Sequence, residues 1–410
     1  EQLSQVLASS RDVEGDAAPT FRMVGPLNQP GGVTFAGGEI TVQHVSLTNP
    51  LLPERLTGLQ GRFVLSEGGT MFDGVTGRLG DLGLQISGGI TGGSDSAFQD
   101  FLIRVKGDAG QMAKLVPSRA IPPGAIDGLV NGAVVLTGST LSPHVRGEVE
   151  LTESVVSFPG LVEKPIGAEA SVEFYGTIPK GSGVLLDRIE LVVPPIRLPV
   201  KGKIQLGERF SIDAALSTGT LSLSRVPEWI AKGGFEAGNI ELSLDMKGKG
   251  PDWKAWKTTG WLALTNGLMN VKGAEGPIED LYLRVQFVKN GAEIKRLSFR
   301  LLDSDVALEG TIGNWAAKPT ITAKIESNQM DLDLLIPKGQ RSPIREFLET
   351  LAATSKVQAT ASMARGRYKH LKFGSLSARI MIQNGILDLD RVSGQSTNGE
   401  VAGRIVVQLP

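Results

Sequence analysis

The stretch EIKRLSFRLLDSDVALEGTI at residues 293–312 decides the fold, because apolar and polar side chains alternate along it. Leu297, Phe299 and Leu301 fall on one side of an extended chain, and the arginines and the serine between them fall on the other. Alternation with a period of two is typical of strands with one dry and one wet face, as in antiparallel sheets. The stretch therefore predicts a pair of strands, each apolar on one face.

The same alternation recurs in other segments, so a larger set of apolar side chains is predicted to share the dry surface. These candidates for the lining of a hydrophobic groove are Ile189, Leu191, Val193, Leu283, Val285, Phe287, Leu297, Phe299, Leu301, Val306, Leu308, Ile312, Ile380 and Ile382.

The chain repeats itself, since residues 146–216 and 259–326 follow one plan of strands and turns. Such self-similarity is typical of a body built by stacking one supersecondary unit. We therefore predict a linker or frayed N-terminal edge at 1–34 and one continuous repetitive β-groove body at 35–410. Its expected modules are 35–120, 121–233, 234–340 and 341–410.

The number of strands suggests how the sheet is shaped. About 22 strands at roughly 4.8 Å spacing would form a row on the order of 100 Å long, and sheets that large curl, split or close. Aromatic residues make up only 5% of the chain and glycine is frequent, which favours a deep curl over a filled sandwich core. The predicted fold is all-β with a few short helices: an elongated antiparallel sheet curled into a trough with its apolar face inside.

Local signals add turns and helices to this prediction. The Asn-Gly pairs at Asn266 and Asn384 indicate hairpins. Helices are predicted at 224–234 and from Pro343 onward, where Ser342 would be the N-cap and an apolar stripe follows. We expect the second helix to lie against an edge or mouth of the sheet.

Composition excludes several classes of function. The chain has no cysteine, so disulfides, thiolate metal sites and cysteine nucleophiles are excluded. A net charge of −1 without a basic run argues against nucleic-acid binding. No stretch approaches 18 uninterrupted apolar residues. The start at Glu1 without a signal peptide suggests a fragment of a longer protein.

Residues that could carry chemistry are few, and we predict no catalytic residue, metal site or cofactor. The three histidines lie in different modules. The carboxylate pairs Asp331/Asp333 and Asp388/Asp390 could hold a divalent ion, but solvation of a wet strand face explains them better. A cluster of Trp253, Trp256 and Trp261 could bind sugars or fill a gap in packing, and packing is favoured.

A family resemblance is carried by VVLTGSTLSPHVRGEVELTESVVSFPGL at 134–161 and LEGTIGNWAAKPTITAKIESNQMDLDLL at 308–335. These runs resemble the recurring unit of the AsmA-like superfamily of long bacterial envelope proteins, the group that includes TamB and YhdP. In the first run the matching positions are Leu136, Gly138, Leu141, Pro143, Val145, Gly147, Val149 and Leu151.

The resemblance implies a curled, taco-like β-sheet with a continuous hydrophobic groove. It also implies bridge-like transport of phospholipid between the inner and outer membranes of a diderm bacterium, along that groove. It implies a periplasmic location, an inner-membrane anchor in the full-length parent, and an outer-membrane or periplasmic partner. Two alternatives remain open. One is a non-enzymatic envelope scaffold with closed β-sandwich modules, and the other is an enzyme or carbohydrate-binding module on a β-solenoid.

Overall fold

The computed structural model describes most of the chain in separate stretches. The described residues are 10–24, 34–49, 54–93, 95–115, 124–158, 162–180, 183–206, 210–227, 229–230, 234–250, 255–270, 276–314, 318–334, 343–396 and 399–408.

The predicted fold class is confirmed. Strands make up 77% of the structure and helices 5%, so the described chain is all-β with a few short helices. The described residues form 25 strands, against the predicted number of about 22. None of the helices in the described ranges is long and apolar enough to cross a membrane.

The chain divides into two compact units, which comprise Glu1–Ala214 with Lys249–Asp252, and Ala215–Gly248 with Trp253–Pro410. The division of 35–410 into four modules stays a prediction. The strands of unit one are β1 Arg11–Val24, β2 Thr34–Thr48, β3 Leu56–Ser66, β4 Gly69–Leu79, β5 Leu82–Thr91, β6 Ala97–Asp108, β7 Ile126–Ser139, β8 His144–Glu150, β9 Ser154–Phe158, β10 Val162–Lys164, β11 Ser171–Thr177, β12 Val184–Val193 and β13 Ile196–Leu206, with β14 Ser211–Ser217 at the boundary.

Unit two holds the remaining strands, each of which pairs with the next along the chain from β16 onward. They are β15 Leu221–Ser222, β16 Phe235–Lys249, β17 Lys257–Met269, β18 Ile278–Val288, β19 Gly291–Leu301, β20 Ser304–Gly313, β21 Thr320–Asp331, β22 Lys356–Tyr368, β23 Leu371–Gln383, β24 Ile386–Ser396 and β25 Gly399–Gln408.

One strand pair departs from the predicted antiparallel sheet. β21 and β22 run parallel, with Thr320 opposite Lys356 and Asp331 opposite Arg367. A parallel pair needs a connection that returns the chain to its starting end, and such connections usually contain a helix. Here the connection contains α2, the helix Pro343–Thr354.

Of the two predicted hairpins, one is confirmed. Asn384 and Gly385 both have positive φ and join β23 to β24, with Gln383 opposite Ile386. The hairpin predicted at Asn266 is wrong. Asn266 lies inside β17 with φ of 52°, where the register to β18 shifts, so the left-handed residue produces a β-bulge instead of a turn.

The helix predicted from Pro343 is confirmed as α2. Ser342 and the side chains of residues 343–348 lie outside the described residues. The helix predicted at 224–234 does not appear in the described part of that range. A 3-10 turn at Leu223–Arg225 overlaps the start of the range instead. A short helix that sequence patterns did not indicate, α1 at Ala109–Leu115, follows Asp108, whose Oδ1 accepts hydrogen bonds from the backbone N–H groups of Gly110 (2.8 Å) and Gln111 (3.2 Å).

Candidate functional site

Unit two carries a continuous apolar surface, because the register aligns apolar residues of successive strands. Directly opposed residues of neighbouring strands project from the same face of a sheet, so the pairings can be followed from strand to strand. Three rows result, and they cross the strands at right angles. We call the surface that they form the apolar face of unit two.

The first row runs over ten strands, which at about 4.8 Å per strand is roughly 43 Å. It contains Leu242, Leu262, Val285, Ile294, Gly310, Ala323, Ala359, Ile380, Leu389 and Ile405. The second row contains Leu244, Gly260, Phe287, Ala292, Ile312, Ile321, Val357, Ile382, Leu387 and Val407. The third row covers eight strands with Ile240, Leu264, Leu283, Leu297, Leu308, Ile325, Ala361 and Ala378.

The eleven predicted lining residues of unit two all lie on this face. Eight belong to the three rows. The other three lie next to the third row on β19 and β20: Phe299 opposes Val306, two residues after Leu297, and Leu301 follows two residues later on the same side of β19. Of these eleven, Ile382 is buried and the others are partly exposed. In a closed sandwich the facing sheet would cover such side chains. Most of these side chains are therefore less fully covered by the described residues than the core of a closed sandwich would be.

Two short segments of the chain cover parts of the apolar face. Near β21 to β24, Leu351 and Ala352 of α2 pack on Val357 and Ile382, which are 7% and 2% exposed. Near β16 to β19, Leu223 and Val226 at the 3-10 turn pack in a cluster with Leu264, which is 5% exposed. Within the described ranges, the chain thus covers the apolar face at these two places, and the other row residues are mostly partly exposed. The expected position of α2 at an edge or mouth is refined to a position on the apolar face.

Unit one has an apolar face of its own. One row crosses seven strands through Ile86, Ile103, Val134, Gly147, Phe174, Ile189 and Val200. The predicted lining residues Ile189 and Leu191 are partly exposed there, whereas Val193 is 2% exposed opposite Ile196. The three predicted residues of unit one and the eleven of unit two therefore belong to two separately described faces.

The opposite, polar face of each unit also contains a concave region. In unit two it measures about 790 Å³ and is lined by hydroxyl, amide and charged side chains such as Thr311, Gln358 and Arg379. In unit one it measures about 690 Å³ and is lined by Arg104, Glu148 and their neighbours. Hydrocarbon gains nothing from such polar surroundings, so we place the candidate site on the apolar faces.

The predicted carboxylate pairs contact cations and backbone groups of other strands. Asp331 of β21 accepts a hydrogen bond from Arg367 of β22, which lowers the pKa of the Asp331 carboxyl. Asp388 of β24 accepts from Arg404 of β25, with Nε 2.9 Å from Oδ1, and this bond lowers the pKa of Asp388. Such pairs fix neighbouring strands to one another.

The other candidate residues are scattered. His44, His144 and His370 are all exposed and lie in different strands or turns. Trp253 lies outside the described residues. Trp261 is partly exposed on the polar face opposite Ser243. Among the residues that the structure describes, no group of three or more His, Cys, Asp or Glu side chains could hold a metal ion.

The burial of Lys164 was not anticipated from the sequence. Lys164 is 1% exposed, and its Nζ donates to the carbonyl oxygens of Ser154 (2.7 Å), Pro165 (3.0 Å) and Thr152 (3.4 Å). Burial lowers the pKa of this ammonium, but its three donors have three acceptors. Lysine is normally a surface residue, so no pattern in the sequence indicates this contact. It ties the β9–β10 hairpin to the preceding turn.

The rows of described residues on the two apolar faces consist of apolar side chains and glycine, so these faces can bind hydrocarbon by excluding water. No protein-family model, no curated protein and no solved structure matches the chain.

Proposed function

We propose that this chain carries phospholipid between the inner and outer membranes of a diderm bacterium, with acyl chains held on the apolar face and head groups in water. The proposal combines the resemblance to AsmA-like envelope proteins with one observation. Apolar rows run over as many as ten strands of unit two, and their large side chains stay mostly partly exposed.

A partly exposed apolar surface of this extent supports binding of hydrocarbon. Each CH₂ group taken out of water contributes roughly 0.8 kcal/mol, so an acyl chain of about 16 carbons gains on the order of 10 kcal/mol when it is fully covered. A large apolar patch on the surface of a protein typically marks a site that binds a ligand, a membrane or another protein. The energy available is therefore sufficient for extraction of an acyl chain from water.

The composition of the rows supports movement along them. All of their positions except Gly260 and Gly310 carry an apolar side chain, and none is polar. Because the hydrophobic effect has no direction and scales with area, neighbouring positions along a row offer similar free energies. An acyl chain can then shift from strand to strand, because it does not have to escape from one position that binds it much more tightly than the next. The rows run across the strands, so this movement follows the length of the sheet.

The rest of the proposal follows the family resemblance. The resemblance implies a periplasmic location, an inner-membrane anchor in the full-length parent and an outer-membrane or periplasmic partner, and the proposal includes all three. No chemical step is required, and the protein acts without a cofactor.

The test is a pair of arginine substitutions on opposite faces of unit two. Leu308→Arg places a charge in the third row of the apolar face, and Gln358→Arg places the same charge on the polar face, where Gln358 is exposed between Thr322 and Met381. Purified protein is analysed by native mass spectrometry and by thin-layer chromatography of lipid extracts. We expect phospholipid with the unsubstituted chain and with Gln358→Arg, and strongly reduced phospholipid with Leu308→Arg.

Two outcomes would overturn the proposal. Folded, unsubstituted protein without any bound lipid, even after incubation with phospholipid vesicles, would favour the scaffold. Unfolding of Leu308→Arg while Gln358→Arg stays folded would mean that Leu308 belongs to a closed protein core.

A further inference from the structure

The hairpin formed by β22 and β23 has a local excess of positive charge. From residue 350 to residue 387 the sequence contains no Asp or Glu, whereas it contains six Lys or Arg residues. The net charge of the whole chain is only −1, so acidic residues elsewhere hide this excess. A local field of one sign favours partners of the opposite sign, so an anionic partner is the one that suits this hairpin.

Four of the six cations lie at residues 365–372, at or next to the turn of the hairpin. The strand pairing puts Arg367 directly opposite Lys372, and like charges in this position destabilise a strand pair. Lys369 occupies the turn itself with φ of 53°, a left-handed backbone conformation that glycine and asparagine adopt more readily. Folding therefore gains little from this arrangement of cations, and conflicts of this kind are expected at functional sites.

The carboxylates next to the turn neutralise only part of this charge. Arg367 donates to Asp331, and the backbone N–H of Lys369 donates to Oδ2 of Asp333 at 2.7 Å. Three exposed cations form no ion pair with a carboxylate of the described residues, and they are Arg365, Lys369 and Lys372. These three remain available to an anionic partner.

The same turn also exposes apolar and aromatic surface. Leu371 is 48% exposed, and Tyr368 lies directly opposite it. The ammonium of Lys369 lies 5.2 Å from the centre of the Tyr368 ring, within the range of a cation–π contact. An exposed leucine, a tyrosine and several lysines together are typical of segments that lie in a membrane interface. The leucine enters the acyl region there, the tyrosine sits at the level of the head groups, and the ammoniums reach the phosphates.

We propose that the turn between β22 and β23, at residues 367–372, docks on the surface of a bilayer that contains anionic phospholipid. Leu371 enters the bilayer surface, and Lys369 and Lys372 bind lipid phosphates. The charge selects anionic lipid, and the exposed leucine favours a membrane over a nucleic acid, whose charged backbone offers it no apolar surface. Docking needs only the tip of this hairpin, so it is independent of transport along the apolar face.

Vesicle flotation tests the charged part of the site. The whole chain is mixed with vesicles of phosphatidylcholine alone, or of phosphatidylcholine and phosphatidylglycerol in equal amounts. We expect at least tenfold tighter binding to the anionic vesicles, because each Lys or Arg near an anionic surface adds to the attraction. Added salt should weaken this binding.

A pair of double variants locates the binding charges. Lys369→Gln with Lys372→Gln should weaken binding to anionic vesicles at least tenfold. Arg284→Gln with Arg296→Gln removes two exposed cations that oppose each other on β18 and β19, and it should leave binding unchanged. Equal binding of the unsubstituted chain to both kinds of vesicle, or equal losses for the two double variants, would overturn the proposal.

The apolar part of the site is tested at Leu371. Leu371→Ser should weaken binding to anionic vesicles about tenfold, since a leucine side chain returns to water. Leu141→Ser, at a leucine that is 54% exposed in the turn between β7 and β8, is the control and should have no effect. Because the chain has no cysteine, a polarity-sensitive fluorophore can also be attached at Leu371→Cys, and anionic vesicles should shift its emission to the blue.

Two results separate the possible partners and functions. Binding that depends on the two lysines but not on Leu371, without a shift in emission, would refute membrane docking and indicate a soluble acidic partner. Leu308→Arg, on β20 away from the turn, should retain vesicle binding. Failure of the docking site and failure of the proposed transport can therefore be told apart.

Discussion

Truncation of Ile382 and Leu308 to alanine tests whether the apolar face is open where the structure leaves it uncovered. Ile382 is 2% exposed beneath α2, whereas Leu308, on the same face, is partly exposed and is not part of the cluster that the described side chains of α2 form. Each substitution removes three carbon atoms. Full burial of these atoms contributes about 2.4 kcal/mol, and a closed site adds a cavity term.

The expected costs therefore differ. Ile382→Ala should lower the free energy of unfolding of unit two by about 3–4 kcal/mol, because α2 prevents solvent from filling the gap. Leu308→Ala should cost about 1–2 kcal/mol, since water already reaches this side chain and no closed cavity forms. Met381→Ala, on the opposite face of β23 and away from α2, serves as the control and should cost no more than Leu308→Ala.

The assay combines urea unfolding with hydrogen exchange of peptides that cover β20, β23 and α2. Ile382→Ala should also accelerate exchange in the last turn of α2, because Leu351 and Ala352 lose a contact. Equal losses of stability for Leu308→Ala and Ile382→Ala would refute the reasoning, because the face at β20 would then be as fully covered as the face under α2.

Two further predictions concern the ion pair between Asp388 and Arg404, which joins β24 to β25, and the packing of the sheet at Gly310. Because Arg404 lowers the pKa of Asp388, the pair stabilises β25 fully above the ordinary aspartate pKa of about 3.9, and this stabilisation is lost as the pH falls through the lowered pKa. Asp388→Asn should therefore accelerate hydrogen exchange of β25 at neutral pH. It should also remove the additional opening of β25 that the unsubstituted protein shows when the pH falls through the lowered pKa. Exchange of β25 that is unchanged by the substitution would contradict the role of the pair. Gly310→Ala should destabilise unit two by about 1–3 kcal/mol in thermal unfolding, since the new Cβ would lie 2.3 Å from the carbonyl oxygen of Thr322, whereas Gly219→Ala, with no atom within 4 Å, should be nearly neutral.

The sequence predicted the strands well, because alternation with a period of two is a local property that each strand carries by itself. The stretch 293–312 forms β19 and β20 with Leu297 opposite Leu308 and Phe299 opposite Val306. The turn at Asn384 and the start of α2 at Pro343 were likewise predictable from local backbone preferences. Asn266 shows the limit, since the same left-handed residue can close a hairpin or form a bulge.

The sequence by itself determined that this protein is a repetitive sheet with one apolar side, since that follows from residues two positions apart. Only the tertiary structure decided which parts of that side are covered, because coverage depends on segments distant in sequence. Leu351 and Ala352 bury Ile382 and Leu223 packs on Leu264, whereas Leu308 belongs to neither of these clusters of described side chains. The parallel pairing of β21 and β22 and the contact between Arg404 and Asp388 also arise from strand order and register, which alternation leaves open.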